Sequence, residues 1–203
     1  MKKLLKVVNS LLFVFFICFM VYMLISSYDT MKLSKILTVL CILPLIMVPY
    51  LLDKIKVYHM DEVLIFFYYF FLLLALVMGS ILKFYYKIWW FVLFTHFISG
   101  LMNSIIAFIL QKNKLVNRKY KWFGFLFILV FTVSIACSWE YFEFICDKLF
   151  QSDAQCVAET GVDDTMTDML IATLAGFLSS IYYLYYLHKK NSWRLYETER
   201  EKK

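Results

Sequence analysis

Six side chains between His96 and Asp168 of this 203-residue chain have types and spacing suited to chemistry. Glu140, Glu143 and Asp147 stand at i, i+3 and i+7, which is one face of a helix. Asp164 and Asp168 stand at i, i+4, with Asp163 and Thr165 beside them. His96 heads a small-and-polar stripe, His96, Gly100, Asn103 and Ala107, and Asp168, Ala172, Gly176 and Ser180 make a similar one. One imidazole with several carboxylates suits Zn²⁺, Mn²⁺ or iron, and carboxylates alone suit Mg²⁺ or Ca²⁺. The candidate metal ligands are His96, Glu140, Glu143, Asp164 and Asp168, with Asp147, Asp163, Thr165 and Asn103 lining the same pocket. A metal-bound water can act as a nucleophile. Without a metal, Glu140 and His96 can serve as acid and base.

The elements that must position these residues are membrane helices. The chain is 63% hydrophobic and 18% charged, with mean hydropathy +0.71. A soluble domain is about half apolar and about a quarter charged. The composition therefore excludes a soluble globular fold, a disordered chain and a disulfide-stapled secreted domain. A spanning helix needs about 20 mostly apolar residues. Six windows qualify, at 7–27, 33–52, 63–82, 88–110, 122–146 and 168–187. They are apolar all round, as in Leu64-Ile65-Phe66-Phe67, and lack the alternation of barrel strands. The expectation is an all-α polytopic integral membrane protein, a bundle of about six transmembrane helices in one domain over 1–203, with 147–167 as an outer loop. Pro44 and Pro49 predict a kink in the second span.

Orientation follows from Lys and Arg placement. The N-terminal segment and every second segment after it carry 16 bases; the alternate segments carry five. Both termini are expected in the cytoplasm. The net charge of +6 then divides into two faces. The cytoplasmic side carries 16 bases and six acids, and the outer side five bases and nine acids. Eight of those nine acids lie between Glu140 and Asp168, with Lys148 as the one base among them. Trp89, Trp90 and Trp122 fall at span ends, as interfacial aromatic belts predict. The basic C-terminal tail reads as an anchor attracted to anionic lipid, and no nucleic-acid partner is expected.

Three motifs resemble a known family. Thr95-His96-Phe97-Ile98-Ser99-Gly100 resembles H-F-x-x-G, and Trp139-Glu140-Tyr141-Phe142-Glu143-Phe144 resembles W-E-x-x-E-F. Gly161-Val162-Asp163-Asp164-Thr165-Met166-Thr167-Asp168 resembles G-x-x-D-T-x-x-D. Together they resemble the YjdF-like family of small bacterial inner-membrane proteins and, more distantly, the VanZ-like proteins. The resemblance covers about the C-terminal half. It departs before the histidine, where Phe91-Val92-Leu93-Phe94 stands in place of an Asp-Lys pair. It implies a bacterial cytoplasmic membrane protein and supplies no reaction; the VanZ-like proteins imply tolerance to glycopeptide antibiotics.

Several roles stay open at this level. The cluster can be a metal or substrate site acting on an envelope lipid or lipid-linked precursor. It can equally be a structural network fixing helix register, or a proton or ion path. A carrier predicts inverted repeats and a midplane site, neither of which the sequence displays. Whether the protein is an enzyme, its oligomeric state, and a disulfide between Cys146 and Cys156 are not decided by sequence.

Overall fold

A computed structural model describes residues 2–28, 33–56, 59–110, 120–150 and 155–201. Outside the described residues lie Asp29, Lys32, the basic segment with Lys112, Lys114, Arg118 and Lys119, Asp153 in the outer loop, and Lys202 and Lys203. So do the side chains of Lys35, Cys41, Glu159, Lys190, Arg194 and Arg200. The described residues are helical apart from short turns, with no strand among them. Five helical stretches are long and apolar enough to cross a membrane: Lys3–Ile25, Glu62–Gly79, Phe91–Leu110, Lys121–Leu149 and Asp163–Lys189. Outward-facing Leu11, Leu126, Val130 and Leu170 are each more than half exposed, as lipid-facing side chains must be. The protein is an all-helical, multi-pass membrane protein.

The chain divides into two compact units, Met1–Val77 and Met78–Lys203. The first holds α1 (Lys2–Tyr28), α2 (Leu33–Lys54) and α3 (Glu62–Leu72). Asp61 caps α3, its Oδ1 accepting from the Leu64 N–H at 2.9 Å. The core here is Phe16, Met20, Ile46, Tyr69 and Leu72. Pro49 has no N–H, so the Leu45 carbonyl loses its helical partner. The Tyr68 hydroxyl donates to that carbonyl at 2.6 Å, and the Tyr69 hydroxyl to the Ile46 carbonyl at 3.1 Å. The gap at the expected kink site is thus filled by the Tyr68 phenol from α3, with the Tyr69 phenol on the next carbonyl. Asn9 donates to the Glu62 carbonyl and to its Oε2, both at 2.9 Å.

From α3 the helix continues as a π-helical stretch, Leu73–Ile81. In the second unit come α4 (Phe84–Lys87), α5 (Phe91–Leu110), α6 (Lys121–Phe150), α7 (Val157–Thr160) and α8 (Asp163–Glu201). Trp89 and Trp90 form a turn ahead of α5. Two differences from the windows read off the sequence bear on the site. The sixth begins at Asp163, five residues before the apolar run. Gly161 turns the chain at φ 66°, and Asp163 and Asp164 occupy the first turn, where the helix dipole favours acids. The fifth runs on to Phe150, carrying Glu140, Glu143 and Asp147 within one helix.

Helices α5, α6 and α8 form a three-helix bundle in which α5 and α8 run parallel and α6 runs against both. Contacts along the seam establish the directions. Gly100 meets Ala172 and Ala175; Ser104 Oγ lies 3.0 Å from Thr132 Oγ1; Ser180 Oγ donates to the Phe125 carbonyl at 3.1 Å. Beyond these the seam is apolar, with Ala107, Ile128, Tyr183 and Leu187 buried together.

Candidate functional site

The polar end of this seam holds the cluster. Gly100 and Ala172 stand one turn beyond His96 and Asp168, on parallel helices. A Cβ at Gly100 would sit 2.7 Å from the Ala172 carbonyl oxygen and 2.8 Å from the Ala175 Cβ. The missing side chain lets the backbones approach closely, as small residues do in membrane bundles. One turn back, that approach places His96 Nε2 3.2 Å from Asp168 Oδ2. Glu140 enters from α6. His96, Glu140 and Asp168 offer ligand atoms that all lie within 4.8 Å of one another.

These acids are deeply buried: Glu140 is 4% exposed and Asp168 3%. Glu140 Oε1 and Asp168 Oδ1 have no hydrogen-bond partner among the described residues. A buried polar atom without a partner is costly, so each such atom calls for an explanation. For ligands at zinc distances, the edge of a tetrahedron is about 3.3 Å. The 3.2 Å gap between His96 and Asp168 fits two neighbouring ligands of one cation, and the two open carboxylate oxygens fit it as well.

The other expected site residues are arranged around this trio. Glu143 is half-buried, and its Oε1 accepts from the Trp139 indole N–H at 2.8 Å. Asp164 is half-buried near the cluster, in the first turn of α8. Asp147 Oδ2 accepts from the Gln155 backbone N–H at 3.1 Å, and Thr165 Oγ1 accepts from the Gln155 side chain at 3.1 Å. Asp163 is exposed at the start of α8. Asn103 stands two turns beyond His96 on α5, about 10 Å along the axis, away from the trio.

Two further residues join the site without a signal in the sequence. Gln155, from the segment between α6 and α7, is buried at 8% exposure, and its amide donates to the Glu140 carbonyl at 3.3 Å and to Oε2 at 3.5 Å. Glu140 Oε1 is the oxygen that this amide leaves without a partner among the described residues. Tyr85, from the short connection before α5, packs its ring against Gly79 and shares a hydrogen bond with Thr95. Burial pushes the Tyr85 phenol up to about 12; the Thr95 bond lowers it in part, and the nearby Glu143 and Asp168 add to the rise. Tyr85 is therefore a neutral hydroxyl next to the acids. Gln155 sits in a polar stretch without periodicity and Tyr85 in a Tyr-Tyr pair, so spacing rules pass over both.

The two small-residue stripes meet only in part. Asp168 and Ala172 face α5, whereas Gly176 packs on Thr132 and Ser180 bonds Phe125, both in α6. Residues four apart precess by about 40° around a helix, so from Asp168 to Ser180 the stripe turns by about 120° and passes from one neighbour to the other.

Neither the curated proteins nor the solved structures contain a match to the chain. The family model described as "Predicted membrane protein (DUF2238)" matches residues 8–190, a range that takes in the whole His/Glu/Asp group. The chain belongs to this DUF2238 family of membrane proteins, which is YjdF-like.

Proposed function

We propose that this is a multi-pass protein of a bacterial cytoplasmic membrane with an outward-facing divalent-metal site, acting on an envelope lipid or lipid-linked precursor. His96, Glu140 and Asp168 are the inner ligands, with Glu143 and Asp164 close enough to complete or tune the set. The reading is carried by one observation: three potential ligand atoms within 4.8 Å, next to two buried carboxylate oxygens that lack partners. The bias of 16 bases against five supports cytoplasmic termini, and so an outer location for the cluster. The distant resemblance to VanZ-like proteins supports a role at the outer face.

A bound cation would polarise a phosphoryl or carbonyl oxygen, or activate water. The protein's own part is positional. Gln155 fixes one oxygen of Glu140, Thr95 and Tyr85 stand beside the acids, and Gly100 sets the spacing of His96 and Asp168. Without a metal, Glu140 and His96 are instead the groups placed to take and return a proton.

A second reading has its own support. The direct 3.2 Å contact between His96 and Asp168 can by itself hold α5 and α8 in register. One experiment separates the two. Wild type and a Glu140→Gln, Asp168→Asn variant are purified, and bound metal and thermal stability are measured together. Metal in the wild type, lost in the variant with stability largely kept, is the expected result. Metal-free wild type with collapse of the variant overturns the metal reading in favour of the structural one. For orientation, a reporter fused after Lys203 is expected to work only in the cytoplasm.

A further inference from the structure

A second site lies at the opposite end of the same bundle. Lys121 and Trp122 open α6, while Leu184, Leu187 and His188 come from α8 near the end of its apolar stretch. Because α6 and α8 are antiparallel, these residues reach the same membrane boundary. They line a crevice of about 160 Å³ that is open on one side. Just along α6, Gly124 has no side chain, and the Tyr183 ring fills the space against it.

The chemistry of the lining is divided. Leu184 and Leu187 make an apolar wall, and Leu187 is fully inside at 4% exposure. The mouth carries donors: the Lys121 ammonium, which lies 5.5 Å from the centre of the Trp122 ring, the Trp122 indole N–H and the His188 imidazole. None of the three has a hydrogen-bond acceptor or carboxylate partner among the described residues. An indole at a boundary normally has one wet and one apolar side. Cationic and N–H donors above an apolar slot complement an anion joined to a hydrocarbon chain, and basic pockets between membrane helices take phosphate headgroups in this way.

We propose that this crevice seats an anionic phospholipid, its phosphate on Lys121, Trp122 and His188 and the start of an acyl chain along Leu184 and Leu187. The seat is independent of the His/Glu/Asp cluster, and its proposal does not rest on that cluster binding metal.

The test is thermal unfolding of the purified full chain in neutral detergent, titrated with phosphatidylglycerol, phosphatidylcholine or inorganic phosphate. Phosphatidylglycerol is expected to raise the midpoint saturably, with phosphatidylcholine and inorganic phosphate ineffective at the same concentrations. Lys121→Gln with His188→Gln is expected to weaken the phosphatidylglycerol response by fivefold or more, since each base near a lipid phosphate contributes about fivefold in affinity. Its midpoint without lipid should stay near wild type, because both residues are on the surface. Lys83→Gln with Lys87→Gln removes at least as much positive charge elsewhere and is expected to leave the response intact. Equal responses to both lipids, or an unchanged response in the Lys121/His188 variant, overturn the proposal. A full response to inorganic phosphate also overturns it, because it makes the occupant a soluble anion. Loss in the Lys83/Lys87 control reduces the effect to bulk charge and overturns it as well.

Discussion

The two units bury polar groups for different ends. In the first, polar contacts join one helix to another: Tyr68 and Tyr69 take up carbonyls of α2, and Asn9 ties α1 to Glu62. Among the described residues, Asn9 Oδ1 is the one such atom left over there. In the second, two carboxylate oxygens are left without partners within a few ångströms of an imidazole. Both units pay the desolvation cost of burying polar atoms. The first recovers it in hydrogen bonds, and the second keeps three potential ligand atoms within 4.8 Å of one another. In a membrane protein, the location of unrecovered cost is a better guide to function than the location of polar residues.

Four substitutions break or sharpen that contrast. Gly100→Leu has the largest expected effect. Its side chain meets the α8 backbone, so the bundle should lose about 3 kcal/mol. His96 and Asp168 should also separate, and bound metal should fall with the unfolding midpoint. Metal retained at wild-type stoichiometry in this variant would mean that the seam does not set the site. Gln155→Ala comes next. It leaves Glu140 Oε2 without its donor, at a cost of about 1–2 kcal/mol. Metal affinity should weaken more than stability does, as isothermal titration would reveal. Tyr69→Phe in the first unit should cost about 1 kcal/mol and leave metal content untouched; loss of metal there would erase the distinction between the units. Asp53→Asn should change neither quantity measurably, because its contact with His59 is exposed on both sides.

Much of this architecture is legible in the residues. Apolar runs of 20 or so residues announce helices because lipid offers the backbone no other partners. Their ends are less legible. The acids that make Asp163–Thr167 look like a loop are the ones that favour a helix N-terminus, so hydropathy trims α8 by a full turn. Helical spacing places His96, Glu140 and Asp168 on inner faces but does not say which acids converge. Glu143 lies three residues from Glu140, about 60° round the helix, and that rotation is enough to turn it to Trp139. Gln155 and Tyr85 enter from connections, where position is set by the fold and not by any period.

The repaired proline carries a consequence of a different kind. Pro49 leaves the Leu45 carbonyl open, and Tyr68 takes it up. Replacing Pro49 by alanine would restore a helical N–H and compete with the Tyr68 hydroxyl for the same oxygen. The two positions are therefore epistatic: Tyr68→Phe is expensive beside a proline and nearly free beside an alanine. In a double-mutant cycle this pair should depart from additivity, although one residue has no hydrogen to donate and the two side chains need never touch.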